Sequence, residues 1–317
     1  MNIIKNYHIT HKDPFCTKKV RKRQKIYEEG NLVAIYDSKA MVEGHSLIIT
    51  KHHSLGLLDL KEQDGALLFK IIKKVLPPIL NLYNCGVPAY DLKIRSGDYS
   101  GRTVNHFHVH MIPRRIVSGP DGKFMYERIY ENNLKNPDRP FLDDISEEVK
   151  SLRRKINEEE VIHNIKPILK AKFDMDNVNI YKNTFYVSEH FMAIYHPNPV
   201  IEGHSILVPR RDFSDLLDIS ESESIDLVRT YAKIMKLLLD NYGKGSRSYI
   251  TSMVVGGYDS APVDRLHINL IPRSKLDRYS GRNDEIYYDL YENAVRIPIM
   301  KESQISDEVK SLRRMLS

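Results

Sequence analysis

Cysteine is scarce in this chain of 317 residues, which contains only Cys16 and Cys85. Two thiols cannot form the disulfide framework on which small secreted domains depend. The polar start of the chain (residues 1–6) lacks the apolar core of a signal peptide, and no apolar run reaches the roughly 20 residues of a membrane helix. We therefore expect a protein of the cytoplasm or nucleus that does not insert into membranes.

A large excess of one charge is also absent, since the formal net charge is +6 and is spread along the chain. This charge suits phosphate-bearing ligands but does not indicate nucleic-acid binding. The basic run at residues 18–23 is more often a solvated turn than a nucleic-acid patch. With 41% hydrophobic and 28% charged residues, the composition is that of a folded globular protein, and the length is comfortable for two domains.

The chain contains an internal duplication in which residues recur 159 positions later, as His45 does at His204. The recurring segments are 44–46 at 203–205, 57–60 at 216–219, 112–114 at 271–273 and, one position further on, 145–154 at 305–314. A period this long indicates duplicated domains and not a solenoid. We place the boundary in the charged stretch near residue 156, which predicts one domain at 1–155 and another at 156–317.

Each half has the same predicted order of elements. In the first half, apolar or alternating runs predict strands over 32–37, 46–50, 90–94 and 106–112. An apolar stripe predicts a helix over 61–76, which Pro77 and Pro78 should stop or kink, and its counterpart spans 220–242. A last helix should begin at Ser146. Antiparallel strands with segregated helices predict an α+β fold.

Three histidines, His106, His108 and His110, alternate with Phe107 and Val109. Period-two alternation predicts a strand that presents all three imidazoles on one face. The row has three interpretations: a merely polar strand face, a metal site, and nucleophilic catalysis. A chance origin is disfavoured because the chain has only 13 histidines. A metal site is disfavoured because no Asp, Glu or Cys lies nearby in the sequence, although a distant residue could complete the ligand set. We favour catalysis.

The run from His106 to Ile112 resembles the histidine triad signature, in which three histidines alternate with apolar residues. Residues 35–37 and 42–47 resemble the strand, turn and strand that precede the triad in that superfamily. The segment 125–131 resembles the fragile histidine triad branch of dinucleoside polyphosphate hydrolases. This resemblance implies cleavage of diadenosine tri- or tetraphosphate with release of AMP. The alternatives are a nucleoside phosphoramidase and a nucleotide-binding signalling protein with slow turnover.

By this resemblance, His108 matches the nucleophile that forms a nucleotidyl-histidine intermediate, and His106 and His110 match the histidines that flank it. His45 matches a histidine behind the triad, although a core role is equally compatible with its position. Asp37 matches the residue that holds the ribose hydroxyls.

The remaining expected substrate contacts are Arg95, Ser96, Arg102 and Thr103 in the loop before the triad, and Ile35 and Leu47 as a base pocket or plain core. Phosphoryl transfer needs cations and donors around the phosphates. The two arginines stand where the branch carries glutamines, and arginine binds polyphosphate more strongly.

Histidine triad proteins pair as two-fold dimers, so the resemblance implies that the two halves pack as an intramolecular pseudodimer and that the chain is a monomer. We expect no metal or cofactor bound by the protein itself, although a divalent cation would accompany a polyphosphate. The second copy replaces His106 by Arg265, His110 by Asn269, Asp37 by His196, Arg95 by Val254, Ser96 by Val255 and Arg102 by Ala261. Because only His267 remains of the triad, we expect this copy to be inactive.

Overall fold

The sheet that organises the fold combines strands from both halves of the chain. The computed structural model describes residues 13–83, 89–114, 145–157, 180–211, 215–255, 266–283, 285–291 and 300–316. The first half contributes β1 (Lys25–Glu29), β2 (Leu32–Tyr36), β3 (Ser46–Thr50), β4 (Tyr90–Ser96) and β5 (His108–Pro113). The second contributes β6 (Thr184–Val187), β7 (Phe191–Tyr195), β8 (Ser205–Pro209), β9 (Ser248–Val255) and β10 (Ile268–Arg273). In the described part of the chain they form one antiparallel sheet.

The strand order is β1-β2-β3-β5-β4-β9-β10-β8-β7-β6, so the second half repeats the order of the first in reverse. The halves meet where β4 pairs with β9, from Tyr90 opposite Val255 to Ser96 opposite Tyr249. In this register Lys93 lies opposite Ser252, its own counterpart in the repeat. A pseudo-two-fold axis therefore passes through this residue pair, and the predicted pseudodimer of two α+β domains is confirmed.

The described part of the chain contains seven α-helices. They are α1 (Lys18–Gln24), α2 (Glu62–Leu82), α3 (Ser146–Asn157), α4 (Ile180–Asn183), α5 (Glu221–Tyr242), α6 (Glu285–Tyr291) and α7 (Glu302–Leu316). The equivalent helices α2 and α5 pack together and cover Leu92, Ile94 and Val109 of the sheet. Helix α5 begins with a capping box between Ser220 and Glu223, which satisfies the free amides of its first turn. No helix in the described ranges is long and apolar enough to cross a membrane.

Helix α2 does not stop where its prolines predict. Pro77 and Pro78 lie inside the helix, which continues to Leu82, so the expected stop is wrong. A proline removes one helical hydrogen bond and crowds the preceding turn, at a cost of about 3 kcal/mol. Both prolines are buried here, together with Ile79 and Leu80 that follow them. Burial of this apolar turn against the core offsets the cost.

Other boundaries differ from the expected ones by a few residues. Strand β5 begins at His108, so His106 precedes the strand. The basic run at 18–23 lies within helix α1, which Thr17 caps, and is not a turn. The expected domain boundary at 155/156 falls in the last turn of α3, where Ile156 is buried.

Candidate active site

Two histidines of the triad, His108 and His110, project from β5 on the face opposite to helices α2 and α5. His108 lies directly across from Ile49 of β3, and His110 lies between Leu47 of β3 and Lys93 of β4. Residues paired across strands share a face of the sheet. The imidazoles therefore stand between an apolar surface on β3 and a cationic one on β4.

His108 has a defined tautomer. Its Nδ1 lies 2.7 Å from the carbonyl oxygen of His106, which can only accept, so Nδ1 carries the proton and Nε2 keeps its lone pair. Burial lowers the pKa of His108 to about 4, against the opposing effect of that hydrogen bond and of the Asp37 charge. The imidazole is therefore neutral at pH 7, which is the nucleophilic form.

His45 fixes the tautomer of His110. The backbone N–H of Met41 donates to His45 Nδ1 at 3.2 Å, so His45 carries its proton on Nε2. That nitrogen lies 3.0 Å from His110 Nδ1, which must accept, and the proton of His110 is thereby placed on Nε2. Burial first, and then the charges of neighbouring groups including His108 and Arg95, hold the pKa of His110 well below its usual value. His110 is therefore a neutral donor.

The second half repeats this arrangement with an amide. Val200 N–H donates to His204 Nδ1 at 3.2 Å, and His204 Nε2 lies 2.9 Å from Asn269 Oδ1. The Asn269 amide nitrogen donates to the carbonyl of Ser252, which orients its oxygen toward His204. An oxygen acceptor requires a proton on His204 Nε2, the same tautomer as His45. The two halves therefore support each other's assignment.

His106 differs from the other two imidazoles because both its ring nitrogens contact protein groups. Nδ1 lies 2.6 Å from Asp13 Oδ2, and Nε2 lies 2.9 Å from both oxygens of Thr50. The ring is fully buried. His106 therefore anchors the backbone carbonyl that fixes the His108 tautomer.

Asp13 also contacts Cys16 and His53, which forms a four-residue cluster with His106. Cys16 Sγ donates to Asp13 Oδ2 at 3.0 Å, and His53 Nδ1 lies 2.9 Å from the same oxygen. The potential ligand atoms of the four residues all lie within 4.8 Å of one another. A carboxylate, a thiol and two imidazoles are ligands that zinc accepts. Residues distant in the sequence therefore bring an acidic group and a thiol beside the triad, the case that the sequence leaves open.

The ionised Asp13 carboxylate and the protonated Cys16 thiol favour the hydrogen bonds within this cluster. Burial alone would raise the pKa of Asp13, but hydrogen bonds from Cys16, His106 and His53 lower it to about 2. Burial and then Asp13 raise the pKa of Cys16 to about 11. A metal would have to displace the thiol proton, so its affinity would rise with pH.

The cationic side of the site comprises Arg95 and Lys93, which alternate on β4 and so share the face of the triad. Arg95 was expected here, whereas Lys93 was missed, although period-two alternation from Arg95 would have found it. Burial lowers the pKa of Lys93 to about 8, which Asp91 partly opposes from 3.5 Å. At pH 7 Lys93 remains largely protonated.

On the opposite side, Asp37 Oδ2 lies 3.3 Å from His45 Nδ1, beside the triad as expected. Ile35 and Leu47 are buried in a cluster with Phe15. The Phe15 ring stands edge-on to both His106 and His108, with centroids 5.7 Å apart in each case. Phe15 therefore separates the apolar surface from the imidazoles, a contact that sequence reasoning missed.

Of the other three expected loop residues, Ser96 and Arg102 bind the backbone of another loop, and Thr103 has no described contact with the triad. Ser96 lies on the helix-covered side of the sheet, because it alternates with Arg95, and its hydroxyl donates to Leu55 O at 3.1 Å. Arg102 donates to the same carbonyl at 3.2 Å and contacts Asp98. Thr103 is exposed. The structure thus brings Arg95 to the triad, but directs Ser96 and Arg102 toward the backbone carbonyl of Leu55.

In the second half, His196 stacks on His204 with ring centroids 4.2 Å apart. Burial first, and then His267, lower the pKa of His196 to about 4. Arg265 and Ala261 lie outside the described residues. The second half therefore has neutral imidazoles at His196 and His204, with an amide at the His110 position.

Comparisons with known proteins agree with the duplication and with the fold. The family model of the HIT domain matches residues 18–117 and 177–276. Bis(5'-adenosyl)-triphosphatase of Dictyostelium discoideum is 29% identical over 108 residues, which are 33% of this chain and 68% of that protein. Asymmetrical bis(5'-nucleosyl)-tetraphosphatase of Schizosaccharomyces pombe is 29% identical over 34% of this chain and 58% of that protein. A solved uridylyltransferase is similar in fold, with a TM-score of 0.55 at 14% identity, over 100% of this chain and 94% of that chain.

Proposed function

Because the chain belongs to the HIT domain family, we propose that its first half hydrolyses dinucleoside polyphosphates, such as diadenosine tri- or tetraphosphate, to a nucleoside monophosphate. The observation that carries this proposal is the state of His108. Its Nδ1 proton is held by the His106 carbonyl, and its neutral Nε2 stands beside a hydrogen-bond donor, His110, and a cation, Arg95. A nucleophile, a hydrogen-bond donor and an anion-stabilising cation are groups that phosphoryl transfer uses.

In the first step, His108 Nε2 attacks the α-phosphorus. A nitrogen–phosphorus bond forms, and the bond from that phosphorus to the bridging oxygen breaks. His110 Nε2–H donates a hydrogen bond to this oxygen and keeps its proton, so a nucleoside diphosphate leaves as its anion from a triphosphate bridge and a nucleoside triphosphate from a tetraphosphate bridge. Arg95 balances the charge that develops on the phosphate oxygens. Any divalent cation would accompany the polyphosphate.

In the second step, water attacks the same phosphorus and the nitrogen–phosphorus bond breaks. One proton of the water passes to solvent, and His108 is regenerated with the monophosphate released. Asp37 would contact the ribose of the nucleotide held on the enzyme. Two displacements with a good leaving group replace one difficult displacement by water.

Product analysis by chromatography tests this function directly. Incubation of the protein with diadenosine triphosphate should yield AMP and ADP in equal amounts, and diadenosine tetraphosphate should yield AMP and ATP. Adenosine phosphoramidate serves as the alternative substrate, because the same triad could act on a phosphorus–nitrogen bond. Faster turnover of the phosphoramidate than of either dinucleotide would overturn the proposed substrate class.

The low pKa of His108 gives a second expected result. Because burial lowers it to about 4, His108 stays unprotonated and nucleophilic until the pH falls through that value. The acidic limb of kcat/KM should therefore have its midpoint near pH 4 and not near the roughly 6.5 of an exposed histidine. Initial rates from pH 3.5 to 8, with circular dichroism as a control for unfolding, give the profile. A midpoint near 6.5 in folded protein would contradict a buried neutral nucleophile.

A further inference from the structure

The second half of the chain reaches over the first-half site. Tyr287, in helix α6, is buried, and its ring lies 4.4 Å from Lys93 Nζ and 5.0 Å from Arg95 Cζ. Arg95 Nε donates to the Tyr287 hydroxyl at 3.3 Å. A residue from the copy that lacks two triad histidines thus contacts both cations beside the active triad.

The loop before the triad also rests on the second half. Gly101 has a positive φ of +77°, and a Cβ added there would lie 2.5 Å from Asn283 Cβ. At Gly97, φ is +80° and an added Cβ would lie 2.5 Å from Ser248 Cα. The backbone N–H between them, that of Tyr99, donates to Ser248 Oγ at 3.1 Å. These close approaches hold the loop in one conformation.

Arg95 connects the two sets of contacts. Its Nη1 donates to the Gly101 carbonyl at 3.1 Å, while its Nε contacts Tyr287. The Nη1 side of the guanidinium group therefore faces the loop before the triad, and the Nε side faces the second half of the chain. Arginine has five donors in a planar fork, so fixing two of them defines where the others point.

The electrostatics explain why an aromatic ring suits this place. Lys93 and Arg95 are like charges on one face of one strand, and Arg95 lowers the pKa of Lys93. The face of a tyrosine ring carries negative charge density and attracts cations, more strongly where water is excluded. Asp91 partly balances Lys93 from 3.5 Å, and the Tyr287 ring contacts both cations without adding a second negative charge.

We propose that Tyr287 is a positioning residue of the first-half site, which orients Arg95 and Lys93 toward the polyphosphate and so makes the second half a required part of the active site. This rests on the proposed function for its substrate. The inactive copy is then retained for its side chains at the junction and not for chemistry. The effect should be larger for a substrate with a longer, more highly charged phosphate chain.

Two substitutions separate the contributions of Tyr287. Tyr287→Leu removes both the ring and the hydroxyl, and should raise KM for diadenosine tetraphosphate on the order of tenfold with a smaller change in kcat. Tyr287→Phe keeps the ring over the cations and removes the hydroxyl to which Arg95 donates, so its effect should be smaller. Tyr279→Phe is the matched control, since Tyr279 lies in the same apolar cluster but donates to Asp289 and not to the first half. It should leave kcat and KM unchanged.

A double substitution tests whether the hydroxyl acts through Arg95. Tyr287→Phe should have no further effect in an Arg95→Gln background, because the donor that its hydroxyl accepts from is already gone. Multiplicative losses would overturn the proposal, as would a Tyr287→Leu protein that is wild-type in both binding and turnover. Thermal unfolding of each variant controls for misfolding.

Calorimetric binding of inorganic tripolyphosphate keeps the two proposals distinguishable. If the wild type hydrolyses no dinucleotide but Tyr287→Leu weakens tripolyphosphate binding severalfold, the proposed function fails and the positioning role stands. If hydrolysis occurs and the variant binds tripolyphosphate and turns over substrate like the wild type, the positioning role fails and the function stands.

Discussion

Replacing His108 with alanine is expected to lower kcat for dinucleotide hydrolysis by a factor on the order of 10⁴ or more. The substitution removes the atom that forms the covalent bond, and no other imidazole can take its place. His106 is held at both ring nitrogens by Asp13 and Thr50, and His110 Nε2 carries a proton. Steady-state rates by chromatography, with rapid-quench trapping of a nucleotidyl-protein in the wild type, measure the effect.

His267→Ala is the matched control, because His267 occupies the same position in the second half. It should leave hydrolysis unchanged within twofold. His108 is buried, so the unfolding temperature of His108→Ala must be recorded to separate lost chemistry from lost structure. Equal losses in the two variants would mean that both copies are catalytic. A His108→Ala protein with wild-type rates would exclude His108 as the nucleophile.

The sequence predicts those parts of this site that lie on one element. His108 and His110 alternate along β5, so their positions and the face that they share follow from the period of two, whereas His106 precedes the strand. The pseudodimer follows from the repeat offset together with the family resemblance. The first prediction uses a local sequence pattern, and the second uses the similarity between the two halves of the chain.

Contacts between distant parts of the chain are not predictable in this way. Asp13 and Cys16 contact His106 from 93 and 90 positions away, and Tyr287 contacts Arg95 from 192 positions away. Their positions depend on how α1 and α6 pack on the sheet, and no local sequence pattern predicts that packing. Ser96 is the reverse case. It adjoins Arg95 in sequence, yet alternation puts it on the opposite face of β4.

The continuation of α2 through Pro77 and Pro78 has a similar cause. Local propensity disfavours a helix there, and only the burial of the last turn against the core favours it. Tertiary packing commonly overrides such preferences, because burial of one large apolar side chain contributes about 1.5–3 kcal/mol. The sequence contains the apolar residues but not the surface that they pack against.

The second half offers a template for the most specific test of His110. In that half Asn269 accepts from His204 in the place where His110 accepts from His45. His110→Asn should therefore keep the hydrogen bond to His45 and the fold, while it removes the Nε2–H that donates to the leaving oxygen. We expect kcat to fall by about 10²- to 10³-fold, the range typical of one lost transition-state hydrogen-bond donor, with an unfolding temperature close to that of the wild type.

The leaving group distinguishes a lost hydrogen-bond donor from a displaced nucleophile. A nitrophenolate spreads its charge over the ring and nitro group, so the nitrophenyl ester of AMP should lose less activity in His110→Asn than diadenosine triphosphate, whose leaving oxygen carries a localised charge. His108→Ala should lose both substrates equally, since each needs the nucleophile. An equal loss of both substrates in His110→Asn would contradict a hydrogen bond to the leaving oxygen, and would indicate instead that His110 acts by holding His108, whose ring centroid is 4.9 Å away, in place.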